Sequence, residues 1–184
     1  QYYSARLKSD LNRMMNYHFN MNKFREHKLF ETPESLAEYA GKLWKNLQET
    51  CPNLFYVSSP LSSTPIPLYK WIINNANSIK NWNKFRFVLM DERVEGDDNF
   101  RYVNVEDLAS YENFAIRNLI KPIQEKTNIP LTKFIIKPEL KNLNLFDKEI
   151  EKHNGIDLLV LAIGVRGHFA QIMPGTRLDT GFHV

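Results

Sequence analysis

Residues 157–176 read DLLVLAIGVRGHFAQIMPGT, and the fold class turns on how this stretch is understood. Leu158 to Ile163 is an unbroken apolar run, bounded by Asp157 before it and Gly164 after it. A short apolar run closed by a glycine is the pattern of a strand covered on both faces, as in a parallel sheet. Just past its C-terminal end come Gly164, Gly167 and His168, then Pro174 and Gly175. Open α/β sheets bind ligands outside the carboxyl ends of their strands. A histidine there, between glycines that let a ligand approach the backbone, is the leading catalytic candidate, because imidazole exchanges protons near neutral pH. The competing reading is a loop histidine that only caps or packs.

Upstream of this stretch, helical and strand patterns alternate. Thr32, Pro33 and Glu34 supply an N-cap, a proline for the first helical position and an acid for the first turn. Leu36, Tyr39, Ala40, Leu43, Trp44 and Leu47 then form an apolar stripe that runs to about Thr50, and Pro52 stops the helix. Leu54 to Val57 reads as a strand, Ser58 to Thr64 (SSPLSST) as a loop of hydroxyls, and Pro65 to Ile73 as the next helix. A strand, a small-residue loop and a helix start can cradle an anion on free N–H groups, although serine-rich loops are commonly only loops. Phe85 to Met90 is the next strand, with Asp91, Glu92 and Arg93 at its end. Those charges fit either a ligand site or a surface ion-pair cluster. Gly96 to Val105 reads as a polar loop, Ser110 to Gln124 as a helix, Phe134 to Ile136 as a strand and Leu145 to His153 as a short helix. The βαβα order predicts an α/β fold, a Rossmann-like parallel sheet with helices on both faces.

Residues 1–27 lack this regularity. Leu7, Leu11, Met14 and Met15 fall near helical spacing, but no clear period follows, so this part reads as an extension in which His18 and His27 are surface residues. Residues 28–184 read as one domain without internal repeats or a dividing linker. At 184 residues, 43% hydrophobic and 24% charged, the chain can build an ordinary globular core. A net charge of +3 is too mild to argue for nucleic acid and suits a protein that handles small anions. One cysteine, Cys51, excludes a disulfide framework and a CxxC metal site and makes a reducing, cytoplasmic setting the expectation. No apolar run approaches the ~18 residues of a membrane span, so no membrane partner is expected. The chain does not start with methionine, which fits a segment of a longer protein.

Three local patterns resemble one family. SSPLSSTPIPLYK at Ser58 to Lys70 is similar to the phosphate loop SGGSTPxxLY of the sugar-phosphate family that holds 6-phosphogluconolactonases and glucosamine-6-phosphate deaminases. Asp91-Glu92-Arg93 matches its acid pair at a strand end, and GVRGHFAQIMPGT at Gly164 to Thr176 is similar to GxGxDGHxASLFPG. The resemblance covers about residues 28–184 and stops at Val184, short of the strands and helices that follow in the family. Within the family, Arg93 in place of a tyrosine, and Ile172 and Met173 in place of an asparagine and a glutamate, point to the lactonase branch. Met90-Asp91-Glu92 and the SYxxF at Ser110 to Phe114 look like the deaminases.

The lactonase resemblance implies hydrolysis of 6-phosphogluconolactone to 6-phosphogluconate in the pentose phosphate pathway. His168 would serve as general base on water and then as general acid, while Asp91 and Arg93 orient the ring and the imidazole. Ser62, Ser63 and Thr64 would hold the phosphate, with Arg166, Gly164 and Gly167 beside it. The reaction needs neither a metal nor an organic cofactor. Some family members are fused to the glucose-6-phosphate dehydrogenase that makes the lactone, so a place in a longer fused enzyme is a further expectation. In the deaminase alternative Asp91 removes a substrate proton and His168 helps open the ring. Two departures bear on both. Arg166 stands where the family has an aspartate that steadies the imidazole, and a cation there should depress the histidine's pKa or grip phosphate itself. Ser62 and Ser63 replace glycines, at an expected cost of about 1 kcal/mol if the loop needs positive φ. These departures motivate a third expectation, a weakened relative that binds a phosphosugar without turning it over.

Overall fold

The structure, a computed structural model, describes residues 28–96 and 99–163. The N-terminal extension, with His18 and His27, and the whole segment from Gly164 to Val184 lie outside the described residues. Every element below belongs to one compact unit that begins at Thr32.

Helix α1 (Pro33–Thr50) starts where the sequence places it. The Thr32 side chain accepts from the Ser35 N–H at 3.1 Å, and the Ser35 hydroxyl returns the favour to the Thr32 backbone N–H, which closes a capping box. Its inward face is Ala37, Gly41, Trp44 and Gln48, with Ala40 and Leu47 partly buried; Leu36, Tyr39 and Leu43 of the expected stripe are exposed. The small residues decide this phase. A Cβ on Gly41 would stand 2.0 Å from Cε3 of the Trp71 ring, so the ring can lie this close only against a glycine. Gln48 is buried yet satisfied, accepting from the Trp44 indole at 3.0 Å and donating to the Lys80 carbonyl at 2.9 Å.

Four strands form a parallel sheet in the order β5-β2-β1-β6: β1 (Phe55–Ser58), β2 (Phe85–Val88), β5 (Ile135–Ile136) and β6 (Leu158–Leu159). Side chains alternate across it. Phe55, Val57, Phe85 and Phe87 enter the main core with Trp44 of α1, with Leu68, Tyr69 and Ile72 of α2 (Ile66–Asn75), and with Leu119, Ile120 and Ile123. Tyr56 and Val88 face the other way and meet Phe146 and Ile150 of α5 (Leu143–Lys152). Helices therefore cover both faces, as the βαβα order predicts.

Three local readings change. The expected helix over 110–124 is α3 (Tyr111–Ala115), a π-helical turn (Ile116–Ile120) and α4 (Lys121–Thr127) in succession. The Lys121 N–H reaches back five residues to the Ile116 carbonyl, and Pro122, which has no N–H to donate, falls in the first turn of the α-helix that follows. Within the expected loop from Gly96 to Val105, β4 (Arg101–Tyr102) pairs antiparallel with β3 (Val94–Glu95) just before it, clipped by Arg101 Nε to Glu95 Oε1 at 2.9 Å. Gly96 permits the turn with φ of 108°, and a Cβ there would lie 2.6 Å from the Asn99 carbonyl oxygen. Last, the run Leu158 to Ile163 is not covered on both faces among the described residues. Leu158 and Val160 pack on the core, whereas Leu159, Leu161 and Ile163 are 47%, 51% and 52% exposed. An apolar run alone cannot tell an outer strand from an inner one, and β6 is the outer strand of the described sheet.

Candidate functional site

The site begins with strand order. The chain moves outward from β1 to β2 to β5 and then returns to the far side of β1 as β6, so the order reverses between β1 and β6. Ligands of open α/β sheets bind at such a switch point, outside the carboxyl ends. Val57 is in register with Phe87 on one side and with Leu158 on the other, so the segments after β1, β2 and β6 all leave the same edge.

The segment after β1 is anchored from within. Ser58 Oγ donates to the Val88 carbonyl at 2.7 Å and ties β1 to the end of β2. The buried Tyr69 hydroxyl, on α2, donates to the Pro60 carbonyl at 2.7 Å and lies 3.2 Å from Ser59 Oγ. Burial pushes the Tyr69 phenol far above its ordinary pKa, so it stays a donor. Beyond this anchor Ser62, Ser63 and Thr64 are exposed, and among the described residues their hydroxyls have no hydrogen-bond partner. The expected strain at Ser62 and Ser63 is absent: the non-glycine described residues with positive φ are Asn81, Asn128 and Asn154. The first turn of α2 offers few donors, since Pro65 and Pro67 have no N–H and the Ile66 N–H is turned to the Ser63 carbonyl at 3.3 Å. An anion here would be held chiefly by the loop's own N–H and hydroxyl groups.

At the end of β2 two neighbouring carboxyls have opposite surroundings. Glu92 is saturated. It accepts from Ser110 Oγ at 2.9 Å, the Tyr111 N–H at 2.8 Å, the Glu112 N–H at 2.7 Å and the Arg93 N–H at 2.7 Å. It thus caps α3 from outside, at the positive end of the helix. Asp91 is partly buried and accepts no hydrogen bond from any described residue. Burial, and then the Glu92 charge, hold its pKa above the usual carboxylate range, against a smaller pull from Arg93. Arg93 is exposed, its guanidinium 5.2 Å from the centre of the Tyr111 ring. A flanking network closes this side. Lys137 pairs with Glu112 and stands 4.9 Å over the Tyr102 ring, whose hydroxyl donates to the Pro138 carbonyl at 2.6 Å.

The structure therefore puts Ser62, Ser63 and Thr64, and Asp91 and Arg93, along one edge of the sheet. Gly164, Arg166, Gly167 and His168 lie outside the described residues. Sequence reasoning missed the work of Tyr69 and Glu92, whose partners are ten and eighteen residues away along the chain. Among the described residues no group of three or more His, Cys, Asp and Glu side chains is placed to hold a metal ion. No helix among them is long and apolar enough to cross a membrane. A cleft lined by Lys80, Trp82 and Lys126 opens beside the start of β2, away from the loops just described.

Sheet and switch point define the class: an α/β, Rossmann-like fold, a parallel sheet with helices on both faces. No family model matches the chain. Among curated proteins it is similar to the glucosamine-6-phosphate deaminase of Clostridium beijerinckii, 30% identical over 156 residues, which is 82% of this chain and 60% of that protein. The deaminase of Dictyostelium discoideum is 29% identical over 128 residues, 68% of this chain and 45% of that one. The chain thus spans roughly half to three fifths of the length of these relatives. Among solved structures, a monomeric glucosamine-6-phosphate deaminase of the NagB superfamily superposes with a TM-score of 0.65 at 18% identity, over 82% of this chain and 60% of that one. A 6-phosphogluconolactonase from Leishmania guyanensis gives 0.58 at 16% identity, over 80% and 63%. The chain is thus similar in sequence to glucosamine-6-phosphate deaminases over much of its length, and its fold is shared with a deaminase of the NagB superfamily and with a 6-phosphogluconolactonase. The leaning toward the lactonase branch is not upheld. The sequence relatives carry the deaminase name, and the lactonase likeness, at 16% identity, speaks for the fold alone.

Proposed function

We propose that the protein acts on a phosphorylated amino sugar, converting glucosamine 6-phosphate to the corresponding keto sugar phosphate with release of ammonia. Asp91 is the base. In the open-chain substrate it takes the proton from C2 and a proton is returned to C1, which leaves an imine at C2 that water hydrolyses to the ketone and ammonia. His168 assists ring opening. Ser62, Ser63, Thr64, Arg166, Gly164 and Gly167 hold the phosphate, and Arg93 steers the anion.

The observation that carries this reading is Asp91 itself. A carboxyl without a hydrogen-bond partner among the described residues, raised by burial, stands at the mouth of a parallel sheet. Such a group is a stronger base than a solvated carboxylate once ionised. The deaminase relatives support the same choice.

The test is release of ammonia from glucosamine 6-phosphate, run beside hydrolysis of fresh 6-phosphogluconolactone. Deamination that falls by about 100-fold or more in Asp91→Asn is expected. Hydrolysis of the lactone without deamination would overturn this reading in favour of the second. That second reading, a lactonase with His168 as base, is favoured by Arg93 after the acid pair and by Ile172 and Met173 before the Pro-Gly. Binding of either phosphosugar without turnover would mark the weakened relative that Arg166 suggests.

A further inference from the structure

We propose that Glu92 is a positioning residue, whose fully engaged carboxylate docks the end of β2 on the start of α3 and so fixes Asp91 and Arg93 at the mouth of the sheet. Each neighbour of Glu92 in the chain carries a group of the candidate site, and Glu92 itself has no oxygen to spare. Four donors, at 2.7–2.9 Å, come from Arg93, Ser110, Tyr111 and Glu112. Three of them belong to one helix start, so the carboxylate is held from several directions and cannot rotate without breaking several charge-assisted bonds together. Ser110 Oγ also accepts from the Asn113 N–H at 3.1 Å, so it serves both as the helix N-cap and as a donor to Glu92. Beyond Glu92 the Arg93 guanidinium rests 5.2 Å from the Tyr111 ring centre, a second tie between the same two segments. Asp91, by contrast, has no such bond among the described residues. Its place is set by the backbone on either side of it, and on the C-terminal side that backbone is clamped through Glu92.

The charged groups around this clamp are few. Asp91 and Arg93 flank Glu92, and Glu112, paired with Lys137, lies on the helix side with the Tyr102 phenol. Loosening the clamp would let water reach Asp91, and a better-hydrated carboxyl titrates lower. Replacing Glu92 by glutamine also removes a negative neighbour, which acts in the same direction. Ser110→Ala separates the two causes. It breaks one bond of the clamp and leaves the Glu92 charge in place.

The experiment follows the Asp91 carboxyl by carboxyl-carbon NMR through a pH titration in the wild-type protein, Glu92→Gln and Ser110→Ala. Both variants are expected to titrate Asp91 lower than wild type, Glu92→Gln by more. If only Glu92→Gln moves it, Glu92 is a neighbouring charge and the positioning role is overturned; if neither does, the two segments are not coupled and the proposal falls as well. A kinetic arm rests on the deaminase reading. Glu92→Gln should lower kcat on glucosamine 6-phosphate by about 10- to 100-fold through misplacement of the base. KM should stay within about twofold, because the phosphate is held elsewhere. A change in KM alone would assign Glu92 to binding and overturn the proposal. Should the wild type not turn over this substrate, the functional reading fails while the titration still decides the positioning role. Should Glu92→Gln not fold, Ser110→Ala carries the test by itself.

Discussion

Asp91 and Glu92 are adjacent acids with unlike fates, and the difference lies in their partners. Glu92 spends both oxygens on a helix start, while Asp91 keeps its own free among the described residues and sits partly buried. Burial raises the Asp91 pKa above its unfolded value. A raised carboxyl contributes stability that is fully present below the unfolded pKa and is lost as pH rises through the folded one. Near neutral pH the ionised Asp91 is therefore a net cost to the fold. Asp91→Asn should raise Tm at about pH 7 relative to wild type, and the advantage should be smaller at about pH 4, because protonation of wild-type Asp91 relieves the cost as pH falls. Thermal scans at the two pH values check this. A second residue-scale prediction concerns the loop anchor. Tyr69→Phe leaves the Pro60 carbonyl without its donor in a buried setting, and should cost about 1–3 kcal/mol in urea unfolding. Asp91 and the serine loop were legible in the sequence as chemistry-bearing types at strand ends. The roles of Glu92 and Tyr69 were not, because each is defined by a partner that only folding brings near.

Among the elements, α1 shows both what local pattern settles and where it stops. Its start was legible residue by residue, because a cap is a local object: Thr32, Pro33 and Ser35 make all of it. Thr32→Ala should destabilise by about 1 kcal/mol, read from the denaturant midpoint. Its inward face was misjudged, because the expected stripe counted apolar side chains and overlooked the small ones. Gly41 is where the Trp71 ring fits, and Gly41→Ala should cost about 1–3 kcal/mol through overpacking, checked by the same unfolding measurement. The π turn was not legible, because a shift from i−4 to i−5 bonding leaves no local mark in the apolar pattern. The β3–β4 pair escaped notice because two residues a side are too few to show alternation.

On the scale of the whole molecule, the sheet separates a large aromatic core from a smaller one under α5, and the stabilising area is concentrated on the first side. Phe87, fully buried there, should cost about 3–5 kcal/mol when cut to alanine. Leu161 is 51% exposed just past β6 and should change stability by no more than about 0.5 kcal/mol in Leu161→Ala, although both residues look alike in an apolar pattern. Paired urea curves decide it. By itself the sequence determined the start of α1, the approximate places of the other helices and of the strands, the α/β class and a set of candidate residues. Each of these follows from side-chain chemistry or from a period read over a few consecutive residues. Tertiary structure alone decided the strand order, the switch point beside β1, the exposure of alternate residues around β6 and the division of labour between Asp91 and Glu92. Those depend on which distant segments meet, and the energy of a contact is absent from the chain until both sides of it are in place.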